Sequence, residues 1–256
     1  MKKTLQILNG IAFGAAIFVN YLSNTGILDG KTIGNVSDNI KSLFTPAGYA
    51  FSIWGLIYVL LFGFSIYQGK SIFKKGKEDG FVEKIGIWFI ISCIANCCWI
   101  FSWIYGYTGL SCIFIFLLLI ALLKIVINLN INLNKVSTSK FTFLYLPFII
   151  YSGWVTVASV ANVSSYLVKI DWNGFGLSDE VWTIVMIVIA VIINALILFK
   201  RNMSAFALVG SWALIAIGIA NQTKQTTVAF TAFIAASFLL ILVAIQLFKN
   251  RKSSRV

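Results

Sequence analysis

The sequence predicts an all-α integral membrane protein with about eight transmembrane helices. Of its 256 residues, 59% are hydrophobic and 11% are charged, and the mean hydropathy is +0.92. A soluble domain would normally carry about 25% charged residues. The apolar residues come in runs of about 20, the length that a helix needs to cross a bilayer core of roughly 30 Å. Such continuous runs do not fit the alternating strands of an outer-membrane barrel.

The chain divides into apolar segments separated by polar loops. The first segment follows Met1-Lys2-Lys3, and we interpret it as an uncleaved helix because further spans follow it. The second opens on Pro46, which suits a first helical turn because proline lacks the N–H that would be unbonded there. The predicted spans are about Leu5–Leu22, Pro46–Tyr67, Ile85–Tyr105, Leu110–Ile127, Phe141–Leu167, Val181–Phe199, Ala205–Ala220 and Thr227–Phe248.

The basic residues indicate how these spans are oriented. The net charge is +12, but the charges are concentrated in alternate loops and in the tail Lys249–Val256, so orientation explains them better than a nucleic-acid partner does. Positive loops remain on the cytoplasmic side. We therefore expect a multi-pass protein of the cell membrane with both termini in the cytoplasm. Of the 20 Lys and Arg residues, those on the opposite side are Lys31, Lys41, Lys169 and Lys224.

The residue types that are missing exclude several function classes. The chain has no histidine, which removes histidine bases, histidine metal ligands and histidine-ligated haem. No Asp or Glu lies within a predicted span, whereas ion-coupled pumps usually need an ionisable group there. The cysteines lack zinc-site spacing and are expected to be packing residues, with a bridge between the third and fourth spans left open. They are Cys93, Cys97, Cys98 and Cys112.

The second span carries an aromatic stripe. Pro46, Ala50, Trp54 and Tyr58 follow one another at intervals of four, so they would share one helix face. A stripe of this kind, facing other helices, could line a pocket. The alternative is that Trp54 and Tyr58 only pack the bundle or lie near the lipid headgroups.

Two further spans combine tryptophan with asparagine on one face. A buried asparagine in lipid must find a partner, so both amides should point into the bundle. They could join helices through hydrogen bonds of about 1 kcal/mol each, or they could orient a ligand in an aromatic cavity. The matching depth of these residues in the outer half of the membrane supports the cavity. They are Asn96, Trp99 and Trp103 on the third span and Trp154, Ala158 and Asn162 on the fifth.

Together the three motifs resemble the TspO/MBR family, which contains the bacterial tryptophan-rich sensory proteins and the mitochondrial translocator protein. The pattern is Pro46-x7-Trp54-x3-Tyr58, then Asn96-x2-Trp99-x3-Trp103, then Leu146-Pro147-Phe148 followed by Trp154-Val155-x2-Ala158-x3-Asn162. The resemblance covers about Leu5–Leu167 and implies a five-helix bundle with a ligand pocket. The residues that it implies at the pocket are Pro46, Trp54, Tyr58, Asn96, Trp99, Trp103, Trp154, Ala158 and Asn162.

The resemblance further implies that the loop Ser23–Leu43 caps this pocket. The family's first loop is usually rich in Trp and Pro, whereas this loop contains neither. Spans six to eight go beyond the five-helix pattern and contain Trp182, Asn194 and Trp212. We expect residues 1–167 to form the TspO-like bundle, with residues 168–256 adding three helices and a basic tail. These helices could cover one side of the bundle, replace an oligomer contact or build a second cavity.

The resemblance implies a receptor, sensor or carrier in the lipid bilayer that binds a hydrophobic molecule such as a porphyrin or a sterol. A tetrapyrrole would be its ligand and not a fixed cofactor. A second hypothesis is an enzyme that degrades porphyrins by photo-oxidation, with Trp99 or Trp154 as the redox participant. A third is a passive scaffold or permease whose aromatic residues only pack. The sequence leaves open whether the protein forms a homo-oligomer.

Overall fold

The computed structural model describes residues 2–40, 42–73 and 80–253, and within them the chain forms helices and turns without a β-strand. The predicted all-α fold is therefore confirmed. Part of the charged loop between the second and third spans, and the end of the basic tail, lie outside the described residues. The long helices are α1 (Lys2–Asn24), α2 (Ile53–Phe73), α3 (Trp88–Ile104), α4 (Thr108–Asn128), α5 (Leu146–Lys169), α6 (Asp179–Arg201), α7 (Ser204–Asn221) and α8 (Thr226–Ser253).

These helices correspond in order to the eight predicted spans. Among the described residues, seven helical segments are long and apolar enough to cross a membrane, and a further one, α3, is an apolar helix of 17 residues. A short helix, Phe81–Ile85, precedes α3. The helical conformation is interrupted at Gly86, whose φ is 55°. Glycine reaches this left-handed region without a steric penalty. The third span is therefore interrupted where the sequence predicted a continuous helix from Ile85.

The second span begins later than predicted. Pro46 lies before the helix, and a 3₁₀ turn, Gly48–Ser52, leads into α2 at Ile53. Ala47 has a non-helical ψ of 145°, and its N–H donates to the carbonyl of Ala216 on α7 at 3.1 Å. A contact with another helix thus holds this residue out of the helical conformation. The prediction that Pro46 occupies the first helical turn was wrong.

The fifth span is likewise not a uniform α-helix. The segment Phe141–Tyr145 forms a π-helical turn, and α5 follows it with Pro147 in its first turn. Proline cannot donate the backbone hydrogen bond that an α-helix expects four residues earlier. The wider turn therefore falls directly before the proline, where the α-helical ladder is already interrupted.

Helices α5 and α7 form the centre of the packing. Helix α5 contacts α2, α4 and α7, while α7 also contacts α6 and α8. Glycine allows close approach between α5 and α7, because a Cβ on Gly153 would meet the backbone of Phe206 at 3.3 Å. Small residues at such crossings let membrane helices pack tightly. The other long helices expose apolar side chains on their outer faces, as a bilayer requires.

The segment from Ile33 to Ser52, of which Lys41 lies outside the described residues, packs against α3, α5 and α7, and we call it the lid. Its short helix Ile33–Asp38 is capped by the side chain of Thr32. The carbonyl of Ile33 accepts a hydrogen bond from Trp103 Nε1 on α3 at 3.3 Å. The hydroxyls of Ser42 and Ser164 on α5 lie 2.6 Å apart. The lid is thus tied to the helices beneath it.

Candidate functional site

The predicted aromatic stripe forms part of a stacked cluster inside the bundle. The rings of Trp54 and Tyr58 stack with their centroids 5.7 Å apart. Trp54 also contacts Trp99 at 5.9 Å and Tyr151 at 5.6 Å, and Trp99 stacks on Trp103 at 6.1 Å. All of these residues except Tyr58 are at most 6% exposed. The cluster therefore joins α2, α3 and α5 through contacts between aromatic rings.

Asn162 fixes the orientation of this cluster. Its side-chain oxygen accepts a hydrogen bond from Trp99 Nε1 at 2.7 Å. Its amide nitrogen donates to Ser111 Oγ at 2.7 Å and to Cys112 Sγ at 3.1 Å on α4. One side chain on α5 thus links α3 and α4. Because the indole N–H can only donate, this bond sets the plane in which the Trp99 ring lies.

Asn96 joins three helices. Its side-chain oxygen accepts from Asn20 Nδ2 on α1 at 2.8 Å and from the Tyr58 hydroxyl on α2 at 3.1 Å. Asn20 and Asn96 are both buried. This is the helix-joining role that the sequence allowed as an alternative to ligand orientation. Asn96, Trp54 and Tyr58 lie behind the aromatic wall and do not line the cavity described next.

A small cavity of about 20 Å³ lies beneath the lid. Its walls come from the lid, α3 and α5, and they include six of the nine residues that the sequence predicted at the pocket. A cavity of this size holds about one water molecule, whereas ligand pockets usually measure about 300–1,000 Å³. The predicted residues at its wall are Pro46, Trp99, Trp103, Trp154, Ala158 and Asn162.

Three polar groups at this cavity have no hydrogen-bond partner in the described part of the chain. They are Ser37 Oγ, Thr45 Oγ1 and Trp154 Nε1, and their residues are 1%, 7% and 1% exposed. An unpaired buried polar group costs about 1–3 kcal/mol. Each of the three can donate a hydrogen bond. The cavity therefore presents a set of donors suited to a group that accepts hydrogen bonds.

Comparison with known protein families gives a match to the TSPO-like protein family over residues 6–245. The chain belongs to the TSPO-like protein family. The resemblance inferred from the three motifs is thereby confirmed. No curated protein and no solved structure matches the chain. The family match extends from α1 into α8. It therefore includes the three helices that lie beyond the five-helix pattern.

Helix α7 of this TSPO-like protein also donates hydrogen bonds to the lid. Trp212 Nε1 donates to the Ala50 carbonyl at 3.3 Å, and Asn221 Nδ2 donates to the Leu43 carbonyl at 2.8 Å. The ring of Trp212 also meets Tyr49 edge-on, with centroids 5.3 Å apart. The sequence left the role of spans six to eight open. In the structure, one of them, α7, supplies two of the hydrogen bonds that hold the lid.

Sequence reasoning missed several residues of the site. Asn20, Ser37, Thr45 and Tyr151 were not singled out, although each contributes a buried polar group or ring. Asn20 carried a usable signal, because it is an amide on an apolar span like Asn96. Ser37 and Thr45 carried none, since they lie in the polar loop region where such residues are ordinary. All four cysteines are free thiols.

The described residues offer no evident metal site. Within residues 2–40, 42–73 and 80–253, no three His, Cys, Asp or Glu side chains are grouped so that they could hold a metal ion. The side chains at the cavity beneath the lid include hydrogen-bond donors and indole rings.

Proposed function

We propose that this TSPO-like membrane protein is a receptor, sensor or carrier for a flat hydrophobic molecule, such as a porphyrin, that binds beneath the lid. The observation that carries the proposal is the set of three buried donors, on Ser37, Thr45 and Trp154, beside an indole wall. A planar ligand would stack on the indoles, and its carboxylates or carbonyls would accept hydrogen bonds from the donors.

Binding of a molecule this large requires the lid to open. The cavity measures about 20 Å³, and in this proposal it corresponds to the closed state of the lid. Opening separates the lid from α3, α5 and α7, and it breaks hydrogen bonds made by Trp103, Ser164, Trp212 and Asn221. These contacts give a sensor or a carrier its two states, because a ligand that fits only the open form shifts the population toward it.

A titration in the dark tests this proposal. Protoporphyrin IX is added to protein in nanodiscs, with empty nanodiscs as the blank, and the shift of its absorbance band is followed. We expect saturable binding that weakens at least fivefold in Trp154→Phe, which removes one donor. Trp88→Phe, which changes a tryptophan on the cytoplasmic side of the predicted topology, serves as the matched control. Equal, non-saturable partitioning into all three samples would contradict the proposal.

Photo-oxidative degradation of a porphyrin is the second candidate function. It is favoured by the row of neighbouring indole rings of Trp54, Trp99 and Trp103, whose centroids are 5.9 Å and 6.1 Å apart. Bound porphyrin that disappears under light and oxygen, but persists in the dark, would support an enzyme. Stable stoichiometric binding under both conditions would support the receptor or carrier.

We further propose that residues 1–167 form the ligand bundle and that residues 168–256 support it. The anchors from Trp212 and Asn221 to the lid support this division of labour. The distribution of Lys and Arg supports a cell-membrane protein with both termini in the cytoplasm.

A further inference from the structure

A second and much larger cavity lies between α5 and α6. Its volume is about 620 Å³, which falls within the range of about 300–1,000 Å³ for small-molecule sites. It is separate from the small cavity beneath the lid, and the two share no lining residue. Residues Ser42 and Leu43 of the lid form part of its wall.

The body of this cavity is apolar. One face of α5 contributes Val160, Val163 and Leu167, and the facing side of α6 contributes Met186 and Ile189. Ile189 is 47% exposed, as is fitting for a side chain that borders the lipid. The apolar walls suit the apolar part of a hydrophobic molecule placed between the two helices.

An aromatic wall closes the end of the cavity at the α5–α6 loop. The ring centroids of Trp172 and Trp182 are 5.2 Å apart, and Trp182 Nε1 donates to the Gly174 carbonyl at 2.6 Å. Gly174 has a φ of 63°, and a Cβ there would meet the Trp182 ring at 3.1 Å. The wall is thus preformed, and its indole faces attract cations.

Two carboxylates line the same end. Asp171 and Asp179 border the cavity, both are exposed, and neither has an ion-pair partner within 4 Å among the described residues. The neighbouring charges are engaged elsewhere. Lys169 Nζ donates to the Gly106 carbonyl at the α3–α4 turn, and Glu180 accepts from Gln225. Among the described residues, the charged side chains that line this end of the cavity are therefore the two carboxylates, in a protein whose net charge is +12.

We propose that this cavity binds an amphipathic amine. The apolar body of the ligand lies between α5 and α6, and its ammonium group lies at the end lined by Asp171, Asp179, Trp172 and Trp182. The combination of apolar walls, indole faces and unpaired carboxylates matches a hydrophobic cation and disfavours an anion such as a porphyrin carboxylate. A free amine and the amine headgroup of a bilayer lipid share this chemistry. This site is independent of the function proposed for the space beneath the lid.

The test compares 1-pyrenemethylamine with 1-pyrenemethanol, which has the same ring but no charge. Binding to protein in phosphatidylcholine nanodiscs is followed by pyrene emission sensitised by tryptophan, with empty nanodiscs as the blank. We expect the amine to bind about fivefold to tenfold more tightly than the alcohol, because partly exposed ion pairs contribute up to about 1 kcal/mol each and every 1.4 kcal/mol is a factor of ten.

Two sets of variants locate the site. In Asp171→Asn/Asp179→Asn the preference for the amine should fall to about one. In Asp29→Asn/Asp38→Asn, which removes two negative charges from the α1–α2 connection, the preference should persist. Val163→Trp fills the apolar part and should weaken the binding of both probes, whereas Val59→Trp, on an exposed face of α2, should leave both unchanged.

Equal binding of amine and alcohol to the wild-type protein would overturn the proposal. So would an amine preference that survives the Asp171→Asn/Asp179→Asn change, or binding that Val163→Trp does not weaken. Nanodiscs containing phosphatidylethanolamine distinguish the two sources of the amine. If this lipid competes with 1-pyrenemethylamine, the occupant of the proposed site is a lipid headgroup. If 1-pyrenemethylamine binds as tightly as before, the occupant is a free amine.

Discussion

Replacing Asn162 with leucine tests whether one side chain holds the aromatic cluster in place. The change removes the hydrogen bonds to Trp99, Ser111 and Cys112. Hydrogen bonds between membrane helices contribute about 0.6 kcal/mol on average, and the stranded Trp99 N–H adds a penalty of about 1–3 kcal/mol. We therefore expect Asn162→Leu to lower the free energy of unfolding by about 2–4 kcal/mol.

The assay is reversible unfolding by sodium dodecyl sulfate in mixed micelles, followed by helical circular dichroism. Asn24→Leu, which makes the same change on an exposed asparagine at the end of α1, should cost less than about 1 kcal/mol. The decisive comparison is a double-mutant cycle with Trp99→Phe, which removes the indole N–H. We expect a coupling energy of about 1–2 kcal/mol. Additive effects of the two changes would refute the role assigned to Asn162.

Three further predictions concern helix packing, the lid and the topology. Gly153→Ala should lower the unfolding free energy by about 1–3 kcal/mol because its Cβ would press on the α7 backbone. Gly14→Ala, whose Cβ would meet open space, should not lower it. Equal effects of the two changes would contradict the close crossing of α5 and α7. Trp212→Phe removes an anchor of the lid and should accelerate amide exchange in Gly48–Ser52 but not in α4; unchanged exchange would count against the anchor. A C-terminal tag should be labelled only after cells are permeabilised, and labelling of intact cells would refute the predicted orientation.

Much of the site could be predicted because its signals are local. The spacing of Trp54 and Tyr58 predicts one helix face, and their rings do stack. A buried amide must find partners in lipid, and Asn162 finds them on two neighbouring helices. The predicted burial of these side chains follows from a period of 3.6 and from the cost of unpaired polar groups.

The remaining features depend on contacts between distant parts of the chain. Ala47 is held out of the helix by Ala216, and Trp212 binds Ala50, so neither contact leaves a local signal. The volume beneath the lid depends on how closely the lid packs, which no residue pattern encodes. The cavity between α5 and α6 depends on where α6 lies, and α6 is held by its packing against α7 and α8. From the sequence, the last three helices could cover the bundle, replace an oligomer contact or build a second cavity. No residue pattern distinguished among these three roles.

The central claim is that ligand enters the space beneath the lid only when the lid opens. Ser42→Cys/Ser164→Cys tests this directly, because the two hydroxyls lie 2.6 Å apart and a disulfide there would lock the lid to α5. We expect the oxidised variant to bind no protoporphyrin IX and to recover wild-type binding after reduction, while wild-type protein responds to neither treatment. Full binding by the oxidised, cross-linked variant would contradict the account.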